Sequence, residues 1–507
     1  MTSAGTAIEN HPDTDPVLRL VARTRWGSCL LLTDAERRSL RITSRRMSYV
    51  AASSPVYGVT HGFGALVQYE ADPDPSKQAA GLLAHLGAGQ GDPLPPDVVR
   101  TMVWLRLQSM RRGYSGVDPR TWDALARQWN AGFTPVVPAE GSLSASGDLI
   151  PLAHAAQATG GHGEAWADPA HGGNAREPAH EALRRQGLRP VRWDARSALS
   201  FVNGTSAALA LALHNHARLC ALVRASAEIT GVVVARLGAG TEAYTGALAA
   251  VRGHPGHRTA AAWIRAAAGA VRPDLRRPMQ EPYSLRCAPQ VLGAVLDQLR
   301  AQGAILATEA DGCTDNPVLV DGVVLHGGNF HAAPVVLAVE QQALCVHQVA
   351  YLAERQLALL VDPARNGGRP PFLTPHPGPG SGLAGAQIAA TAHLGAIRQL
   401  GYPASMTPVP TNLGNQDHVP MALNAANAVR AMLERAWWIM GTLVLATHQL
   451  AFHGSTPHGG TGHPIWDWCA ANVPALDEDR PLAGEVRAAA AAAADLFQPT
   501  AEPMSAR

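Results

Sequence analysis

From Ser197 onward the chain reads SALSFVNGTSAALALALHNHARLCALVRASAEITGVVVARL, a stretch dominated by Ala, Leu and Val. Its apolar residues recur at three- and four-residue spacing with few charges between them, which is the pattern of a buried helix. Similar runs lie near residues 289 to 309, 331 to 361, 382 to 400 and 418 to 452. A chain carrying this many long apolar helices has to bury them against one another, so the sequence predicts a mainly α fold built on a bundle of long helices. NGGRPPFLTPHPGPGSG interrupts the bundle as a loop, and RPLAGEVRAAAAAAADLF closes the chain as a final helix.

Ahead of the bundle the texture differs. Residues 1–16 read as disordered, 17–195 as a smaller loop-rich N-terminal lobe, and 196–507 as the bundle with its C-terminal helices. Two Gly- and Pro-rich loops stand out in the lobe, PVYGVTHGFGALVQYEADPDP and GGHGEAWADPAHGGNAREP. With 507 residues, 47% of them hydrophobic and 16% charged, the chain can bury a large core, and oligomer interfaces can use part of that apolar surface. A formal net charge of +1 gives no electrostatic reason to expect nucleic acid or an anionic membrane. The six cysteines lack CxxC or finger spacing, which points to reduced thiols in a cytoplasmic protein. The N-terminus does not read as a signal peptide, no apolar run reads as long enough to span a bilayer, and no repeat of fixed period is found.

The segment GSLSASGDLIPLAHAA, 141–156, sets three very small residues before Asp148 and an apolar run. One reading is helix punctuation, with Ser144 or Ser146 as a cap and Asp148 at the positive end of the helix dipole. The other is covalent. In a tight enough bend the Gly147 amide nitrogen attacks the Ala145 carbonyl carbon, a five-membered ring closes with loss of water, and loss of the Ser146 hydroxyl as a second water leaves an exposed methylidene carbon. Gly is needed because a Cβ would block the approach, Ser because it must lose water, and Ala because bulk would obstruct closure. Polar insertions break the apolar helices elsewhere, at FVNGTSA (201–207), QEPYSLRCAPQ (280–290), DNPVLVDGVVLHGGNFHA (315–332) and PTNLGNQDHVPMA (410–422). Unpaired polar groups are costly inside a core, so these insertions suggest one shared polar site.

Taken together, GSLSASGDLIPLAH, YGVTHGFG, FVNGTSA, YSLRCAPQVLGA, LHGGNFHA, AERQ and NQDHVPMA resemble the signature segments of the aromatic amino acid ammonia-lyases and aminomutases, in order from about residue 50 to the C-terminus. The resemblance implies a fumarase/aspartase-like helical homotetramer whose active sites are assembled from several subunits. It also implies a methylidene-imidazolone (MIO) made autocatalytically from Ala145, Ser146 and Gly147, with no external cofactor. Tyr57 matches the family's lid-loop base, a role suited to a phenolate of lowered pKa. Arg286 matches the arginine that holds the substrate carboxylate in a bidentate grip, beside a second tyrosine, Tyr283. Asn203 matches the asparagine that assists ring and substrate. Gly64, Gln280, Asn329 and Asn415 fall where the family supplies further contacts, and Phe330 matches an aromatic residue packed near the ring.

Two departures bear on the substrate. Where histidine enzymes of the family carry a glutamate, this chain has Gln416, so a substrate imidazole would lose its acidic partner. At the selectivity position the pair is His85-Leu86, similar to the tyrosine enzymes, in which the histidine reads the phenol; AHLGAGQG with WLRLQSMRRGYSG looks closest to tyrosine ammonia-lyases of actinobacterial type. The expectation is therefore conversion of L-tyrosine to trans-4-hydroxycinnamate and ammonia, with tyrosine 2,3-aminomutase and phenylalanine ammonia-lyase as alternatives. His61 replaces a residue that is often threonine in the family. No metal site is expected: the imidazoles of His214 and His216 point to different helix faces, and His453, His458 and His463 sit in a Gly-rich segment without a clear carboxylate partner.

Overall fold

A computed structural model describes residues 15–406, 409–453 and 463–498. The fold is mainly α-helical. The N-terminal part carries helices α1 (Pro16–Arg23), α2 (Asp34–Ala51), α3 (Pro75–His85), α4 (Pro96–Arg111), α5 (Pro119–Asn130), α6 (Leu149–Thr159), α7 (Ala179–Arg185) and α8 (Ala195–Val202). Next come α9 (Ser206–Leu237), α10 (Gly246–Arg252), α11 (Pro255–Ala268), α12 (Tyr283–Arg286), α13 (Ala288–Asp311), α14 (Ala333–Val361), α15 (Ala384–Leu400), α16 (Ala422–Leu450), α17 (Pro464–Asn472) and α18 (Ala483–Leu496). Three short antiparallel ribbons complete it: β1 (Gln90–Pro93) with β2 (Pro138–Glu140), β3 (Glu164–Trp166) with β4 (Arg176–Pro178), and β5 (Val318–Val320) with β6 (Val323–Leu325).

The apolar periodicity produces the expected bundle. α9, 32 residues and about 48 Å long, packs with α13, α14 and α16 around one continuous core. Small residues allow very close crossings. A Cβ on Gly293 of α13 would collide with the backbone of His257 in α11, and one on Gly441 of α16 with that of Val486 in α18. α9 stops where Gly238 adopts φ +66°, a left-handed C-cap that glycine takes without steric cost.

One expectation needs correction here. Of the span read as disordered, residues 1–14 lie outside the described residues, but Asp15 and Pro16 are ordered: the Asp15 carboxylate caps α1 by accepting the Val17 N–H at 2.8 Å. α14 has the length and apolar composition of a membrane span, but it carries Glu340 and Glu354 and its most apolar stretch is 61% buried within the bundle, as a core helix is. Not all of the bundle's apolar surface is covered within the chain. α15 buries only Ala390 and Ile397 and leaves Ile388 exposed, while α14 exposes Leu337, Leu344 and Tyr351.

Candidate active site

The 141–148 segment is fixed at both ends. β2 leads into it, pinned by β1 and by Asn427 of α16, whose Nδ2 donates to the Ala139 carbonyl at 2.7 Å. Beyond it starts α6. Between these anchors Ser144 adopts φ +55° and Gly147 φ +74°, and Ala145 and Gly147 are buried while Ser146 stays half-buried. Gly147 is pressed onto the NGT break between α8 and α9, so that a Cβ there would fall inside the Gly204 backbone, and the Asp148 N–H donates to the Gly204 carbonyl at 2.7 Å. Gly204 is backed in turn by the fully buried guanidinium of Arg106 on α4, which leaves no room for a Cβ on Gly204. Arg106 donates to Thr314 Oγ1 at 3.0 Å and to the Ser200 carbonyl. Burial holds Arg106 below the usual arginine range, with nearby Asp315 opposing that shift.

Helix punctuation does not account for Asp148. It is the N-cap residue of α6, yet its side chain makes no cap there. The carboxylate turns instead to the first turn of α9, accepting the Ala208 N–H at 2.8 Å, and it also accepts the Ser142 and Ser144 hydroxyls at 2.9 and 2.7 Å. Burial pushes its pKa up, and these hydrogen bonds resist the shift.

Ser146 opens into a cavity of about 720 Å³ that brings together Tyr57, Gly64, His85, Leu86, Asn203 and Gln416, as the sequence predicts. Asn203 Nδ2 donates to the Ser146 carbonyl at 2.8 Å, leaving its buried Oδ1 without a partner, and Gln416 Nε2 donates to Ser146 Oγ at 3.0 Å. The His85 ring binds the Gly81 carbonyl through Nδ1 at 3.0 Å, which makes Nδ1 the protonated nitrogen and Nε2 an acceptor. The Tyr57 hydroxyl accepts the Gly64 N–H at 2.8 Å and its ring meets Phe63 edge-on. Its pKa runs against the expectation of a lowered value: burial pushes the phenol up, and only the Gly64 N–H opposes this among the described residues.

The other predicted residues lie elsewhere in the protomer. Tyr283, 70% exposed, borders a separate cleft with Tyr351 and Arg355, and the Arg286 guanidinium stands 4.8 Å over the Tyr283 ring with its buried Nε unpartnered. Gln280 and Asn415 are exposed. Asn329 is exposed and Phe330 half-buried, on a loop that only skirts the site: His326 Nε2 accepts the Tyr57 N–H at 3.2 Å, and the Ala332 N–H donates to the Ser144 carbonyl at 3.2 Å. His61 binds Thr60 Oγ1 through Nδ1 at 3.0 Å. Sequence reasoning missed Phe63, Asn412 and Leu199 as cavity walls and Arg106 as the backing of Gly204; Phe63, inside the YGVTHGFG segment, and Asn412, inside a flagged polar insertion, carried a signal. The histidine reading also needs correcting. His463 has a carboxylate partner, Glu228 Oε2 at 2.5 Å, supplied by α9 some 235 positions away; His453 binds the Leu373 carbonyl, and His458 lies outside the described residues.

The sequence pattern described as aromatic amino acid lyase matches residues 19–462. Among solved structures the chain is similar to tyrosine aminomutase from Streptomyces globisporus, at 28% identity with a TM-score of 0.86, covering 95% of each chain. It is similar to histidine ammonia-lyase from Trypanosoma cruzi, at 25% identity and TM-score 0.82, covering 96% of this chain and 95% of that one. It shares its fold with phenylalanine ammonia-lyase from Rhodosporidium toruloides, at 23% identity and TM-score 0.75, covering 95% of this chain and 82% of that one.

Gly147→Ala is expected to lower stability twice over, by about 1–2 kcal/mol for the left-handed backbone and about 1–3 kcal/mol for overpacking against Gly204. Thermal unfolding measures this, and an unchanged midpoint would contradict the contact.

Proposed function

This chain belongs to the aromatic amino acid lyase family, carbon–nitrogen lyases that act on aromatic amino acids, and we propose that it is a tyrosine ammonia-lyase releasing trans-4-hydroxycinnamate and ammonia. The observation that carries the reading is the Ser146 turn, squeezed by Gly204 and opening into the one cavity that holds both Tyr57 and His85. The turn fits an MIO: Gly147 has no Cβ to obstruct its nitrogen, Ala145 is small and buried, and the Ser146 hydroxyl faces the cavity with Gln416 hydrogen-bonded to it. That group, once formed from residues 145–147, supplies an electrophilic carbon that makes the substrate amine a better leaving group.

The remaining work falls to side chains. Tyr57 removes the β-proton of the substrate. Asn203 Oδ1, buried and unpartnered, is placed to accept an N–H from the substrate amine. His85 Nε2, an acceptor because Nδ1 is committed to Gly81, takes the phenol O–H, while Leu86 and the neighbouring apolar walls enclose the ring. Phenylalanine would leave Nε2 unpaired, which disfavours it. Gln416, not a carboxylate, stands where a substrate imidazole would want an anion.

Arg286 and Tyr283 supply the carboxylate grip from a neighbouring protomer. Arg286 has a buried, unpartnered Nε, and the uncovered apolar residues of α14 and α15 suit a homotetramer whose sites are shared. This arrangement also accounts for the Tyr57 pKa: the isolated protomer raises it, and an arginine arriving from next door favours the phenolate. All six cysteines are free, which suits the cytoplasm.

Incubation with L-tyrosine and chromatographic separation of products should give 4-hydroxycinnamate, and Ser146→Ala should give none. Dominant β-tyrosine would move the assignment to an aminomutase, and turnover of phenylalanine alone would remove His85 from its role. His85→Phe is expected to shift the tyrosine-to-phenylalanine ratio of kcat/KM roughly tenfold toward phenylalanine, about the size of one lost hydrogen bond. In a pH profile of kcat/KM, activity rises as the Tyr57 phenol deprotonates. Removing a cation raises that pKa, so Arg286→Gln should move the rising limb to higher pH; a limb that stays in place would show that Arg286 does not face Tyr57.

A further inference from the structure

Away from the cavity, α9 carries a second set of chemical groups. His216 and Cys220 stand four residues apart, on one face of the helix, and Asp15 at the start of α1 faces them. One ligand atom from each of the three lies within 4.8 Å of the other two. Asp15 divides its carboxylate, with Oδ1 capping α1 through Val17 and Oδ2 bonded to His216 Nε2 at 2.8 Å. His216 is fully buried beside Asp15 and Cys220, and its Nδ1 makes no hydrogen bond of good geometry, which leaves a buried polar atom to be explained. Gly303 of α13 packs on the other side of the ring, where a Cβ would come within 3.3 Å of it. His216 is about 15 Å along α9 from Ser206, at the helix start, so this cluster is distinct from the Ser146 cavity.

The donor set selects its ligand. A carboxylate oxygen, an imidazole nitrogen and a thiolate sulfur form the mixed set of a zinc-class ion, whereas calcium and magnesium take oxygen alone. Thiolate and carboxylate together neutralise a divalent charge, and three protein ligands leave one position of a tetrahedron for water. We propose that Asp15, His216 and Cys220 bind a divalent transition-metal ion of the zinc class and thereby clamp α1 onto α9. On binding, the Cys220 thiol and the His216 Nε2–H that donates to Asp15 each give a proton to solvent, and the metal takes the place of the Asp15–His216 hydrogen bond. The clamp is structural, so it stands or falls separately from the lyase reading.

The test uses the full-length protein, stripped with a chelator and titrated with Co²⁺. One equivalent should bind with a thiolate-to-cobalt charge-transfer band in the near ultraviolet, and Zn²⁺ should displace it and raise the melting temperature of the stripped protein. Cys220→Ser should lose the band, and His216→Gln should weaken binding at least tenfold, each with an unchanged circular dichroism spectrum. If the wild type shows no band, or if the band persists in Cys220→Ser, the proposal is overturned. Metal analysis of protein purified without chelator gives a reading independent of any variant, with about one zinc-class ion per chain expected and none counting against the site.

Discussion

The candidate active site depends on one contact between two glycines. Gly147 presses on Gly204, and Gly204 presses on the guanidinium of Arg106, so three elements distant in sequence meet with no side-chain atom between the two backbones. Such a stack is possible only because the buried arginine has acceptors of its own, Thr314 and the Ser200 carbonyl. A buried charge without them would cost several kcal/mol. The bundle therefore does more than hold helices: α4, α8 and α9 bring a cation and a helix break to bear on one three-residue turn.

Asp148 couples the same turn to the bundle from the other side. Its carboxylate sits at the N-terminus of α9, where the helix dipole favours negative charge, and its backbone N–H ties to Gly204. A movement of α9 would have to drag the turn with it. The Ser142 and Ser144 hydroxyls, both bonded to that carboxylate, explain why the approach to the turn is rich in serine.

Much of this was legible in the sequence, though unevenly. The long helices were, because apolar spacing is a local property and α9, α13, α14 and α16 carry it over many turns. The cavity residues Tyr57, His85, Ser146, Asn203 and Gln416 were legible through motif order. What escaped depends on contacts between distant segments. That Asp148 caps α9 and not α6 rests on a side-chain direction, which spacing does not encode. Arg106 reads as one more helix residue until its neighbour Gly204 is seen, and His463 finds Glu228 only once the chain has folded. The expectation of a lowered Tyr57 pKa came from its motif, whereas the surroundings of its ring supply burial, opposed only by the Gly64 N–H among the described residues. Arg286 and Tyr283, on the short helix α12, border a separate cleft and not the Ser146 cavity, a separation that motif order does not reveal.

The Gly147–Gly204–Arg106 stack also sets a condition. The compressed turn needs α4 docked, the α8–α9 break in place and Thr314 beneath the arginine. A nascent or misassembled chain leaves Ser146 as an ordinary serine on a relaxed loop. Any chemistry that requires the compressed turn then leaves a covalent record that the bundle has closed correctly. A population of chains could be sorted by mass alone into those that have completed their fold and those that have not.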